Sequence, residues 1–297
     1  MPASLTKNEQ PQVGGAKPFV DAITARNQDA PSLDPITDRN KKTWTAGAFE
    51  RIATGYRDEA AAFIARRQLR QGQLVLDLAC GSGNLTIPAA RTGAQVTGLD
   101  IAPNLLAAAA EWAQREDLSI QFEEGNVESL PYADKSFDVV TSMFGVMFSP
   151  RPERVLAELA RVTKPGGQVA LANWTRRGFI GEMLSMHTSL VPPPPNVPSP
   201  LNWGDEKTIA EWFGRDEWDV STTPRVLTFD FPHTPAGTVE LFRAYYGPTV
   251  RAFAVLDEDG RASLAAALTS HWTRHSGLTS KVTRVEAEYL EVIAIRR

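Results

Sequence analysis

The sequence predicts an α/β fold: a doubly wound, mostly parallel sheet of seven strands, its last strand antiparallel, with an insertion after the fifth. Three observations predict it. Short apolar runs alternate with helical stretches from Leu74 to Trp174, and such alternation requires a parallel sheet covered by helices on both faces. The first of these runs ends in an acidic residue and a glycine-rich turn, Asp77-Leu-Ala-Cys-Gly-Ser-Gly83. After Trp174 the alternation stops and a stretch rich in proline and tryptophan takes its place.

Taken in order, residues 1–43 are polar and broken by Pro2, Pro11, Pro18, Pro31 and Pro35. They predict a flexible arm whose end wraps onto the core. Residues 44–174 form the predicted core. Phe49, Ile52, Tyr56, Ala60, Phe63 and Ile64 recur near helical spacing within 48–70. Strands are expected at 74–78, 95–99, 120–123, 137–142 and 168–174, the last after the turn Lys164-Pro-Gly-Gly167. Helices are expected at 85–91, 103–115 and 153–162, and Pro103 suits a first helical turn because its missing N–H had no partner there. Residues 175–224, with Pro192 to Pro195 and Trp203, Trp212 and Trp218, are expected to form a lid. In 225–297, alternating Leu227, Phe229 and Phe231 predict a strand. Helices at 236–253 and 258–275 and a final strand at 282–295 complete the sheet.

Composition narrows the classes of function. The 297 residues carry 31 Lys and Arg against 35 Asp and Glu, a net charge of −4. That balance opposes binding driven by phosphate neutralisation, so no nucleic-acid partner is expected. The single cysteine, Cys80, permits no intrachain disulfide. Without a signal-like start or an apolar run long enough to span a bilayer, a cytoplasmic location is expected. Four histidines and one cysteine show no metal-ligand spacing, so no metal is expected. His271 and His275 are four apart on a helix but lack a third ligand in the sequence.

The chemistry begins at Asp77. An apolar strand ends there, and small residues let backbone approach a ligand at the strand's carboxyl end. A dinucleotide fold would carry Gly-x-Gly-x-x-Gly, but here Thr86 stands at the third glycine's place. A carboxylate four residues before Gly81 suits the ammonium group of an amino acid and repels a pyrophosphate. Asp100 ends the next strand, 23 residues after Asp77, where a carboxylate can accept both hydroxyls of a ribose. The plain alternatives make Asp77 a helix cap and Asp100 a turn residue before Pro103.

The runs VLDLACGSGN (75–84), VTGLDIAPNLL (96–106), EEGNVESLPYADKSFDVVTSMFGVMF (123–148) and RVTKPGGQVALANW (161–174) resemble, in order and spacing, the successive motifs of class I S-adenosylmethionine-dependent methyltransferases. The type-11 group, which includes quinone-biosynthesis enzymes, is the most similar, and the resemblance covers residues 44–174. It implies a Rossmann-like core with S-adenosylmethionine as methyl donor. By position, Ala79, Gly81, Ser82 and Gly83 would surround the methionine part beside Asp77. Asp100 would hold the ribose, Ile101 would pack on the adenine, and Asn126 and Val127 would read its edge. Met143 would line the donor site. The family pattern often has Asp at position 126; Asn126 can still accept through its carbonyl, in a weaker, uncharged bond. Trp44, Phe49 and Tyr56 either close over the donor or belong to the core.

A sulfonium methyl is already activated, so no fixed triad is expected. The enzyme must hold the acceptor in line and exclude water. His187, ahead of the proline run, is the weak candidate for a base, followed by His233, His271, His275, Tyr245 and Tyr246. The expected partner is a small, largely apolar acceptor, in a pocket shaped by residues 175–250 and completed by the strands and helices of 225–297. Neither its identity, the atom it offers nor the oligomeric state is written in a motif. Two rivals stay open from sequence: a nicotinamide-dependent oxidoreductase and a donor-binding protein without catalysis.

Overall fold

The structure, a computed structural model, describes residues 34–297 except Arg215 and residues 277–280. Most of the predicted arm therefore lies outside the described residues. Its end is a helix, α1 (Pro35–Thr45): Asp34 caps it by accepting from the N–H groups of Ile36 and Thr37, with Pro35 in the first turn. The predicted long helix that follows is broken into α2 (Glu50–Ala53), a tight turn at Thr54–Tyr56, and α3 (Arg57–Ala65).

The core then alternates as the sequence predicts: β1 (Leu74–Leu78), α4 (Thr86–Arg91), β2 (Gln95–Asp100), α5 (Pro103–Arg115), β3 (Gln121–Glu124), β4 (Phe137–Met143), α6 (Pro152–Val162) and β5 (Thr163–Trp174). The register of β5 against β4 slips across residues 164–167, where the glycine turn was expected. After β5 come α7 (Phe179–Leu190), a short turn of helix at Pro200–Gly204, and α8 (Glu206–Phe213). Next are β6 (Trp218–Phe231), α9 (Pro235–Tyr245), α10 (Gly247–Val255), α11 (Glu258–His275) and β7 (Thr283–Arg296).

The sheet has seven strands in the order β3-β2-β1-β4-β5-β7-β6, with β7 antiparallel to both neighbours. Central strands are buried on both faces, which is why β1 reads as a continuous apolar run. β1 sits where the order reverses, with β2 on one side and β4 on the other. The crevice outside its carboxyl end is the place where such sheets bind ligands.

One boundary differs from the sequence reading. β6 begins at Trp218, so the last residues assigned to the lid belong to the sheet. They were hidden because Asp219 to Arg225 is polar, half-exposed and interrupted by Pro224, as an edge strand can be. The proline run 192–195 lies half-exposed or exposed at the surface. Helices from three parts of the chain pack together nearby. Beyond Trp174, residues 283–288 of β7 pair only with 226–231 of β6, so the two strands project past β5 as an arm. Leu227, Phe229, Phe231, Val285 and Ala287 are buried along it, alternating with exposed residues. On this arm α9 packs against α10 and α11, α11 against α7, and α10 against α1.

Candidate active site

The chain turns sharply after β1. Ala79, although not glycine, has φ +50°. At Gly83 (φ +91°) a Cβ would stand 3.3 Å from Ile87 and 3.4 Å from Ala109, so the glycine lets the loop press onto α5. From the other side comes the loop after β4, where a Cβ on Gly145 would fall 2.6 Å from that of Ala79. Between these loops and α1 lies a cleft of about 850 Å³, open solvent included. Asp77, Ala79, Gly81, Ser82, Asp100, Ile101, Asn126, Val127 and Met143 all line it. Of the expected donor residues only Gly83 does not, and its work is the packing just described.

Asp77 is buried, and its two oxygens accept from Thr86 Oγ1 (2.5 Å) and Thr141 Oγ1 (3.2 Å). Burial raises its pKa to about 7, against the lowering effect of those hydroxyls. Asp100 is buried as well. Its oxygens accept the backbone N–H of Gly81 and of Ala102, each at 2.8 Å, so it ties the glycine loop to the end of β2. Burial raises it to about 6, opposed by the backbone donors. Asn126 Oδ1 accepts the N–H of Glu128 (3.0 Å) in a local turn.

Two buried polar atoms on this wall, Ser82 Oγ and Asn84 Oδ1, have no hydrogen-bond partner. Such orphans are costly unless a ligand meets them. With a deep carboxylate at each strand end and a floor of small residues, the cavity fits an adenosine carrying an amino acid.

Of the wall formed by α1, the sequence reading named only Trp44. Thr37, Asn40 and Trp44 of α1 face the cavity. Arg151 holds that helix in place through ion pairs to Asp34 and to buried Glu128, and Lys41 pairs with Glu124. The Asp34-Pro35 pair, a helix-start signal, could have revealed α1. Also missed was Phe144. At φ +57° it sits in a conformation bulky residues avoid, held by its N–H to the Ala172 carbonyl (2.8 Å). Its ring stacks on Trp174 with centroids 3.5 Å apart and planes 8° apart.

A second cleft, of about 330 Å³ with open solvent included, adjoins the first. Trp44, Phe49, Tyr56, Phe144 and Phe148 line both. Ile52, Trp174, Ile180, Phe229, Phe242 and Tyr246 complete the second. Among its described lining residues only Tyr56 and Tyr246 are titratable, and burial drives both phenols well above their ordinary pKa. No residue of 191–200 lines either cavity, whereas Ile180, Phe229, Phe242 and Tyr246, from elsewhere in residues 175–250, line the second. His187 lines neither. It is buried, with Nε2 3.0 Å from Thr249 Oγ1 across α7 and α10, and burial lowers its pKa to about 4.

Comparison with known proteins shows the family. A family model described as a methyltransferase domain matches residues 76–171. Uncharacterized protein Rv1403c of Mycobacterium tuberculosis is 36% identical over 220 residues, covering 72% of this chain and 79% of its own. A demethylmenaquinone methyltransferase of Renibacterium salmoninarum is 31% identical over 191 residues, covering 59% of this chain and 75% of its own. Among solved structures, the YcgJ protein of Bacillus subtilis superposes with a TM-score of 0.57 at 15% identity, over 81% of this chain and 99% of that one. The chain belongs to the class I, S-adenosylmethionine-dependent methyltransferase family, in its type-11 group. Among the described residues no helix is long and apolar enough to cross a membrane.

Proposed function

We propose that this chain transfers a methyl group from S-adenosylmethionine to a small, flat, largely apolar molecule held in the second cleft, an aromatic chamber. When bound, the donor supplies a methyl on a sulfonium that needs no further activation. Asp100 accepts from the ribose hydroxyls, Asp77 faces the amino-acid end, and Asn126 and Val127 meet the adenine edge. Ala79 to Ser82 and Met143 form the floor beside them. The observation that carries the acceptor class is the chamber itself: it shares five aromatic residues with the donor cavity and is walled by aromatic rings and two isoleucines. Water is excluded by those walls. The two phenols stay protonated near neutral pH, so they orient an acceptor rather than deprotonate it, and the acceptor brings its own nucleophile. Demethylmenaquinone, named for the Renibacterium relative, is an acceptor of this shape. A cytoplasmic location and a small-molecule partner rather than nucleic acid go with this reading.

The test has two stages. Calorimetry should show micromolar-range binding of S-adenosylmethionine and S-adenosylhomocysteine and none of NAD. Turnover against a panel of quinols, phenols and aliphatic amines, read as S-adenosylhomocysteine release, should favour flat aromatic acceptors. Phe229→Ala opens the chamber alone; it should raise the acceptor KM about tenfold or more, as loss of a buried aromatic contact does, and leave donor affinity unchanged. Donor binding with no turnover on any acceptor would support a binding protein instead. Binding of NAD alone would support an oxidoreductase.

A further inference from the structure

His271 and His275 lie one turn apart on α11, and the sequence offers them no third ligand. The fold brings one. Glu182, on α7, places its carboxylate oxygen 3.6 Å from His271 Nδ1 and 3.6 Å from His275 Nε2. One ligand atom from each residue falls within 4.8 Å of the others. We propose that these three side chains form a divalent transition-metal site, suited to zinc, that clamps α7 to α11.

Three features carry the proposal. The 3.6 Å separations are too long for hydrogen bonds. They are close to the roughly 3.3 Å edge of a tetrahedron with metal–ligand bonds of ~2.0–2.1 Å. His271 is completely buried, and its Nε2 lies 3.0 Å from the carbonyl oxygen of Phe179. A carbonyl can only accept, so the proton is on Nε2 and Nδ1 carries the lone pair. That Nδ1 is buried, has no hydrogen-bond partner, and faces Glu182. A carbonyl behind one ring nitrogen with an unpartnered nitrogen in front is how proteins orient a metal-binding histidine. The ring is also fixed by stacking on Phe179, centroids 4.4 Å apart.

Glu182 and His275 are each partly exposed, which gives a metal a path in and lets water take the fourth position. Two imidazoles and a carboxylate with no thiolate are a nitrogen–oxygen set suited to zinc. The clamp stands away from the donor cavity but behind the acceptor chamber. α7 supplies Ile180 to that chamber, and Trp272, next to His271, packs against Phe242. The metal would fix the two helices that back the chamber wall, and it touches no reacting atom.

The experiment uses tag-free full-length protein, stripped with chelator and dialysed. Zn²⁺ is titrated by calorimetry and Co²⁺ by visible absorption. Expected are one equivalent bound at about micromolar Kd or tighter, an intense tetrahedral Co²⁺ band, and a rise in Tm with Zn²⁺. Glu182→Gln and His275→Gln, both at partly exposed positions that spare the buried imidazole, should each weaken Zn²⁺ binding about 100-fold or more and abolish the Co²⁺ band. Both variants should bind S-adenosylhomocysteine as wild type does. Binding weaker than about 100 μM would overturn the site, as would tight binding that survives both substitutions.

Discussion

Asp100 carries two loads, and replacing it separates them. One of its oxygens accepts the N–H of Gly81 and the other that of Ala102, both at 2.8 Å in a buried setting. In Asp100→Asn one oxygen becomes an amide NH₂. Whichever way the amide turns, a donor confronts one of those N–H groups. The loss of one charged hydrogen bond costs about 1.5–3 kcal/mol of stability. On the ligand side each carboxylate oxygen keeps a second lone pair for a ribose hydroxyl, and the amide offers only one such oxygen. A loss in the same range weakens S-adenosylhomocysteine binding about 10- to 150-fold. Asp100→Ala leaves both backbone donors unmet and should lower Tm further than Asn does. The assay is calorimetric titration with S-adenosylhomocysteine on variants whose folding has been checked by thermal unfolding. Should Asp100→Asn remain folded and bind within twofold of wild type, the ribose does not rest on Asp100 and the donor assignment fails. If the alanine variant does not fold, the asparagine variant still decides the question.

Donor binding should also depend on pH. Asp77 and Asp100 are raised to about 7 and about 6. Values above the ordinary carboxylate range mean that these groups favour the folded state fully below about pH 4 and less as pH rises through 6 and 7. A donor bearing positive charge selects the ionised forms, so its binding tightens over that window. Asp100 alone makes the affinity about tenfold weaker at pH 5 than at pH 7.5, with protons released on binding. A Kd flat across this range, with a binding enthalpy that does not change with the buffer, would remove both carboxylates from the donor site. At position 126, Asn126→Asp keeps the turn to the Glu128 N–H and sets a charged oxygen in place of the amide nitrogen. Donor affinity should hold or improve about fivefold, since a charged acceptor makes the stronger bond. A loss above about tenfold would mean that the amide nitrogen donates to the ligand instead.

The donor half was legible because its signals are local. β1 is buried on both faces and so reads as an unbroken apolar run, and Asp77 and Asp100 stand at strand ends that the alternation locates. The second chamber was legible only as a region, because its walls meet only through long-range pairing. Tyr56, Trp174, Ile180, Phe229 and Tyr246 come from separate segments, gathered by the β6 and β7 arm and the helices on it. The polar first half of β6 gave no alternating pattern to find. Phe144 owes its role to a positive φ, which no residue pattern around it announces. Glu182 is a further case: helical spacing pairs His271 with His275, but a ligand from another helix has no spacing to read. α1 is different, since Asp34 and Pro35 marked its start in the sequence and were passed over within a proline-rich stretch.

The place of β7 has a consequence for how the molecule is assembled during synthesis. Strands β1 to β5 find their neighbours among themselves, so the donor cavity's floor can form as soon as they have been made. β6 has no neighbour in the sheet but β7, and three helices separate the two in the chain. Until β7 slots in beside β5, β6 has no strand to hold it, and Phe229 and Phe242 have no fixed wall to join. On the proposed reading, a chain in which β7 is not yet in place would have the floor of the donor cavity without the second chamber. Substitutions that weaken β7 should yield such molecules. In a cell they would tie up donor without turning it over, so a donor-binding assay would count as sound many chains that can do no chemistry.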